Sequence, residues 1–420
     1  MDESWFERGF PHVWLPYCQM RVAPPPLRVA RTLGCRILLD DGCELIDGIA
    51  SWWSVCHGYN HPHIVAQVAR QLSEMPHVMF GGLAHEPALV LARRLAAIAP
   101  GGLSRVFFTD SGSIAVEVAM KIALQYWINR GVVGKRQFLC FNNGYHGDTM
   151  GAMSVSDPSN SMHKAFAEAV VSQHVVSIPT DAAGLNSLEM YLERNRHELA
   201  AMIIEPLVQG AGGMRFHSAE ILASLRGLAQ AHSLLFIADE IATGFYRTGH
   251  RFACDEAGIA PDILCLGKAL SGGTITLGAT LATEEIFDAF LSDDWEKALM
   301  HGPTYMANPL ACAAANASLD LFETEPRDEQ VRAVGGWLQS GLEPCKRLAG
   351  VVDVRVKGAI GVVQLDPSID VYALRPRFVE HGVWIRPFKD IVYLTPSFVI
   401  SEEETRELTR AIFAVLADSH

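Results

Sequence analysis

From about residue 62 onward, short apolar runs alternate with stretches of helical periodicity, and this alternation constrains the fold more than any other feature. The runs RVFFT, QFLCF, AMIIEP, LLFIADE and DILCLG are separated by segments such as SIAVEVAMKIALQYW and AEILASLRGLAQAH. A strand covered on both faces reads as a continuous apolar run, and strands alternating with helices build a mostly parallel sheet. The expected large unit is therefore an α/β domain.

The flanks differ. After three prolines, Pro24 to Pro26, GCRILLDDGCELIDG reads as two strands around the turn Asp41-Gly42. Past the alanine-rich NPLACAAANASLDLFE come GVVDVRVKGAIGVVQLD, GVWIRPFKDIVYLTPS and a closing helix from Ser401, the pattern of a smaller α+β unit. At 420 residues the chain exceeds the size at which one core keeps growing. We expect an N-terminal segment over residues 1–60 packing with the small unit, a large α/β domain over 61–315 and an α+β domain over 316–420.

Charge narrows the function classes. With 34 basic and 47 acidic residues the formal net charge is -13, which argues against a partner gripped through nucleic-acid phosphates. Nine cysteines are scattered without a CxxC pair, as expected of reduced core residues. MDESWFERGF is acidic where a signal peptide would be basic and then apolar, and no apolar run reaches the roughly 18 residues of a spanning helix; we expect a soluble cytoplasmic protein. His57, His61 and His63 cluster, but Pro62 breaks helical spacing and no cysteine or carboxylate completes a ligand set, so no metal is expected.

The chemistry centres on Lys268 in DILCLGKALSGG, set between a buried strand and a small, glycine-rich turn. In LLFIADEIATG five of the six residues before Asp239 are apolar, which puts the carboxylate at the strand end. Ligands of open α/β sheets bind outside the carboxyl ends of strands, so both side chains could meet in one crevice. A desolvated lysine there can attack an aldehyde, and a carboxylate facing a pyridine nitrogen keeps it protonated. A structural Asp–Lys salt bridge is the alternative reading.

Ser111, Gly112 and Ser113 follow the strand RVFFT and open a periodic helix, which suits a phosphate; a plain N-cap by Ser111 or Ser113 reads equally well. Tyr145 and His146, in NNGYHGDTMGAMS, follow QFLCF. An aromatic ring there could stack on a planar cofactor, whereas Tyr145 as a half-buried core residue and His146 as a satisfied hydrogen-bonding group are the plainer readings.

With these residues in this order, the chain resembles the class III, fold-type I pyridoxal-phosphate aminotransferases. The resemblance rests on SWWSVCHGYNHP, MPHVMFGGLAHEPA, DSGSIAVEVAMK, NGYHGDTMGAMSV, IIEPLVQGAGGM, IADEIATGF, DILCLGKALSGGT, HGPTYMANPLACAAANASL and GVWIRPF, nearly the whole chain. It implies a large domain with a mostly parallel seven-stranded sheet, pyridoxal 5'-phosphate (PLP) as cofactor, and a homodimer with shared active sites. It further implies that Lys268 binds the cofactor and moves a proton, Asp239 pairs with its ring nitrogen, Tyr145 covers the ring, and Gly112 and Ser113 hold its phosphate. Thr304 would reach the phosphate in the neighbouring subunit. Tyr17, Trp52, Trp53 and Gly302 would line the substrate pocket, and Arg386 would clamp a carboxylate; the two tryptophans also read as simple core.

Ala242, two residues after the glutamate of DE, is similar to the biotin-pathway subgroup rather than to ornithine- or aminobutyrate-type enzymes, which carry glutamine there. This implies amination of 8-amino-7-oxononanoate to 7,8-diaminononanoate with S-adenosylmethionine as donor. Lysine or another ω-amino acid or diamine as donor, an aminomutase, and a silent cofactor-binding protein remain as alternatives. Two positions depart from the family pattern: Tyr246 stands where glycine is usual, and Cys18 where threonine or serine is expected.

Overall fold

The computed structural model describes residues 4–158 and 162–418; the outermost ends of the expected units, residues 1–3 and 419–420, lie outside the described residues. Its centre is a seven-stranded sheet in the order Arg105–Thr109, Gly278–Ala282, Ile263–Leu266, Leu235–Asp239, Leu199–Ile204, Gln137–Phe141, His174–Val176. All neighbouring pairs are parallel except those made by Gly278–Ala282, which runs antiparallel to both its neighbours.

The continuous apolar runs follow from burial on both faces. Phe236 and Ala238 join one core cluster with Leu264 and Leu266, while Leu235 and Ile237 join the other with Ile263 and Cys265. Each fully covered large side chain contributes about 1.5–3 kcal/mol relative to exposure. The helix Gly112–Asn129 backs the second cluster and is apolar around most of its circumference, with eight buried side chains. Pro309–Thr324 packs against Pro62–Glu74 and Glu86–Ile98, and the small residues Ala311, Ala314, Ala315 and Ala317 are among those it buries.

The chain ends build two smaller sheets. Val351–Lys357, Ile360–Leu365 and Ile391–Leu394 form an antiparallel sheet covered by the helices Arg327–Leu342 and Glu402–Ala417, the latter capped by Ser401. Arg36–Leu39 and Glu44–Asp47 form the expected hairpin. Two partners extend it that the sequence did not announce: Val29–Leu33 on one edge, and the short strand Val383–Trp384 parallel to Glu44–Asp47 on the other. Among the described residues no helix is long and apolar enough to cross a membrane.

Candidate active site

Leu235–Asp239 and Ile263–Leu266 lie side by side and parallel, with Asp239 opposite Cys265. Asp239 closes its strand, and Lys268 stands three residues beyond Cys265, so both emerge at the carboxyl edge of the sheet. There they line a crevice of about 760 Å³ shared with Tyr17, Trp52, Trp53, Gly112, Ser113 and Tyr145, and with Arg386. Ser111, His146 and Ala242, also singled out in the sequence, line the same crevice. Gly302 and Thr304 do not; both are exposed, in the loop that precedes the helix Pro309–Thr324, outside this crevice.

Lys268 sits in a strained turn. Its φ is +46°, in the left-handed region that β-carbons disfavour, and it begins the 3-10 turn Lys268–Ser271 closed by Gly272 at φ +60°. Its ammonium lies 4.7 Å from the centre of the Trp53 ring. Burial pushes the Lys268 pKa down, and the nearby Arg247 adds to this, while the charges of Asp239 and Glu205 oppose it; the net direction is down. An amine that gives up its proton more readily is a better nucleophile and base at neutral pH.

Asp239 is fixed by two donors: Nδ1 of His146 at 2.7 Å and the backbone N–H of Ile241 at 3.1 Å. His146 is therefore part of the site, as the group that orients the carboxylate. Glu205 completes a buried layer beneath it, accepting from the N–H groups of Tyr145 and Gly210, both at 2.9 Å. Burial raises the Glu205 carboxyl to about 7, the charge of His146 pulling against it and that of Asp239 adding to it. Like Asp239, it is a carboxylate at the end of an apolar strand, here the first residue beyond it, a signal already present in IIEP.

The Ser111 hydroxyl accepts from the N–H of Ile114 and so caps the helix Gly112–Asn129, as one of the two sequence readings required. This does not compete with anion binding, because the first turn of a helix leaves further N–H groups without carbonyl partners. Space is made by absent β-carbons. At Gly112 a β-carbon would meet Ile241 at 3.0 Å, and at Gly147, whose φ is +129°, it would overlap the Ser113 hydroxyl at 2.1 Å. At Gly267, just before the lysine, a β-carbon would come to 3.2 Å from Ile241 and 3.6 Å from Gly112.

On the solvent side Asp148 gathers three donors: the Tyr17 hydroxyl in a short hydrogen bond, the Tyr145 hydroxyl at 3.0 Å and Nε2 of His163 at 2.8 Å. Burial alone would raise the Asp148 carboxyl, but these hydrogen bonds outweigh it and hold it below its ordinary value. Tyr145 stacks on His163, with ring centres 5.7 Å apart. Arg386 lines the crevice with its guanidinium 5.0 Å from the Trp52 ring and 5.9 Å from Tyr17, aromatic faces that hold the fork in place. Trp53 is buried and Trp52 half exposed, so each serves as wall and the first also as core.

The donor set fits a phosphorylated pyridine aldehyde: an amine for the aldehyde, a carboxylate for the ring nitrogen and a helix start for the phosphate, around one open volume. The three histidines considered for a metal go elsewhere: His57 to Ser318 and Arg327, His61 to the N–H of His63, and His63 to Asp320.

Comparison with known proteins agrees with this geometry. The profile of the class-III aminotransferases matches residues 17–416. An adenosylmethionine-8-amino-7-oxononanoate aminotransferase of Mycobacterium leprae is 44% identical over 413 residues, covering 96% of this chain and 94% of its own. A crystal structure of the enzyme of that name from Methanocaldococcus jannaschii superposes with a TM-score of 0.92 at 32% identity, covering 99% of this chain and 98% of its own. An amine transaminase from an uncultivated Pseudomonas species, solved with PLP bound, gives 0.88 at 33% identity, with 97% and 99% covered. The chain is a transaminase and belongs to the class-III aminotransferase family.

Proposed function

We propose that this aminotransferase uses PLP to move the amino group of S-adenosylmethionine onto the ketone of 8-amino-7-oxononanoate, giving 7,8-diaminononanoate for biotin synthesis. The observation that carries the reading is the meeting of Lys268 and Asp239 at the ends of two adjacent parallel strands, with Arg386 lining the same crevice. The names of the M. leprae and M. jannaschii relatives supply the substrates.

The chemistry supplied by bound PLP is capture of an amine through its aldehyde and withdrawal of electrons through its protonated ring. Lys268 would hold that aldehyde between substrates and, once released, carry the proton between substrate carbon and cofactor; its lowered pKa suits this base. Asp239, kept in place by His146, would keep the ring nitrogen protonated. The N–H groups of Gly112 and Ser113 would hold the phosphate, and Tyr145 would cover the ring. Tyr17, Trp52 and Trp53 would enclose the substrate, whose carboxylate the Arg386 fork would receive.

The same reading assigns Thr304 to the crevice of a second subunit, and Gly302 lies in the same loop. Their loop is exposed in this chain and adjoins Met300, Tyr305 and Trp295, large apolar side chains exposed by 53%, 59% and 78%. Exposed large apolar side chains concentrated along one stretch of chain suit a subunit contact. On this basis we read the active unit as a homodimer.

The test is the visible spectrum of the PLP-loaded protein. S-adenosylmethionine alone should bleach the band of lysine-bound cofactor, and 8-amino-7-oxononanoate should restore it. A band that persists with S-adenosylmethionine but bleaches with lysine or another amine would overturn the donor and leave the aminotransferase.

A further inference from the structure

Behind the Lys268 turn lies a chain of buried polar groups that does not line the crevice. Nε of Arg327 donates to Nδ1 of His57 at 3.0 Å. Nε2 of His57 is 3.0 Å from Oγ of Ser318, and that hydroxyl donates to the carbonyl of Ala269 at 3.2 Å. Ala269 is the residue after Lys268. His57, Ser318 and Arg327 are each exposed by 2% or less.

The direction of every hydrogen bond is determined. A guanidinium only donates, so Nδ1 of His57 must be the acceptor and the proton must reside on Nε2. Nε2–H then donates to Ser318, whose own proton is left for the Ala269 carbonyl. The ring must be neutral, because an imidazolium has no acceptor to offer Arg327. Burial, and then the charge of Arg327, hold the His57 pKa well below its ordinary value. Each buried donor and acceptor along this path is thereby used, at a site where an unmade hydrogen bond would be costly.

The carbonyl at the end of the path is held from three sides. Besides Ser318 it accepts the N–H of Gly272 at 3.0 Å and lies 3.9 Å from Sγ of Cys56. The turn has no room to relax toward the relay: a β-carbon on Gly272 would come to 2.9 Å from Ile64 and 3.4 Å from the His57 ring. The Ala269–Leu270 peptide, one residue beyond Lys268, is therefore clamped, and with it the turn that holds the left-handed backbone of Lys268. Four separate stretches of chain meet here, and Arg327 opens the helix Arg327–Leu342 that covers the C-terminal sheet.

We propose that Arg327, His57 and Ser318 form a positioning relay for Lys268, holding its strained turn through the Ala269 carbonyl so that the amine stays over Trp53 and beside Asp239. None of the three is a catalytic residue; they act through the peptide. The inference rests on Lys268 being the amine used in the proposed transamination.

The experiment follows Lys268 directly. In the cofactor-free protein its amine is reductively methylated with formaldehyde and cyanoborohydride, and the rate is read by peptide mass spectrometry; after PLP loading, the circular dichroism of the visible band reports the pose of the bound ring. Ser318→Ala and His57→Leu each break the relay. Both should slow methylation about fivefold, the worth of one lost hydrogen bond, because a loosened lysine is better hydrated and more fully protonated. Both should also weaken the dichroic band. Ser318→Thr keeps the hydroxyl and His57→Gln keeps one acceptor and one donor, so these should restore both readouts. Wild-type rates and dichroism in Ser318→Ala and His57→Leu would overturn the relay, as would equal losses in the Thr and Gln variants, which would reduce the effect to packing. If the loaded wild type shows no band, the proposed function falls, while the methylation rates still decide the relay.

Discussion

His146 reaches Asp239 through a hydrogen bond of 2.7 Å between two buried side chains. Burial by itself would push the imidazole pKa down, but the hydrogen bond and charge of Asp239, with Glu205 behind, carry it above its ordinary value. The folded value exceeds the unfolded one, so this ion pair stabilises the fold fully below the unfolded pKa of about 6.5 and is lost as pH rises through the folded value. His146→Gln, which cannot ionise, should be less stable than wild type by about 1.5–3 kcal/mol near pH 5.5. The gap should narrow as pH rises. Urea denaturation across that range checks it, and a gap that widened with pH would mean the imidazole is neutral in the fold.

Lys268→Ala should abolish the visible band of lysine-bound cofactor and lower kcat/KM by at least the ~10²–10⁴ that a positioned base contributes. The strained turn bears on the choice of control. Lys268→Arg preserves charge and the backbone but offers no nucleophilic amine at neutral pH. It should fold as wild type and be equally inactive. Activity near wild type in either variant would return the Asp239–Lys268 pair to a structural ion pair.

How much of this was legible in the sequence follows from what each residue answers to. The large sheet was, because strands buried on both faces must be continuously apolar, as LLFIAD and ILCL are. The strand Val29–Leu33 was not: an edge strand with mostly exposed side chains has no such obligation. Lys268 and Asp239 were visible as charges at the ends of apolar runs. Glu205 carries the same signal and went unread, and His146 passed for an ordinary hydrogen-bonded histidine because its partner lies 93 residues away. That Arg386, Tyr17 and Trp52 belong to one pocket came from resemblance alone, and their mutual contacts were not read at all, since three distant segments meet there.

Arg386 bears on substrate choice. Its planar fork can grip a carboxylate with two parallel hydrogen bonds while lying beside the Trp52 and Tyr17 rings, and lysine has no such fork. Arg386→Lys should lower kcat/KM for a carboxylate-bearing substrate by about 10–100-fold, corresponding to the ~1.5–3 kcal/mol of a charged hydrogen bond. The loss should appear mainly in KM, since the carboxylate is bound alike before and during reaction. Steady-state kinetics with a carboxylate substrate and with a simple amine separate the cases; equal losses for both would place Arg386 in the structure of the pocket rather than in recognition.

Tyr246 tests the backbone. It stands at φ +70°, directly after Phe245 at φ +58°, which gives a physical reason for the glycine usual at this position. The tyrosine ring compensates by stacking on Phe322 at 5.7 Å and accepting a hydrogen bond from Arg251 at 3.3 Å. Such a stack contributes about 0.5–1.5 kcal/mol, and a left-handed non-glycine residue costs about 1–3 kcal/mol. Tyr246→Gly removes both terms, so its stability should lie within about 1 kcal/mol of wild type. Tyr246→Ala keeps the strain and loses the ring. Alanine should therefore be less stable here than glycine, by about 1 kcal/mol, the reverse of their order at an ordinary position. Urea midpoints of the two variants decide it: alanine the more stable of the pair would show that the backbone at Tyr246 relaxes in solution out of the left-handed region.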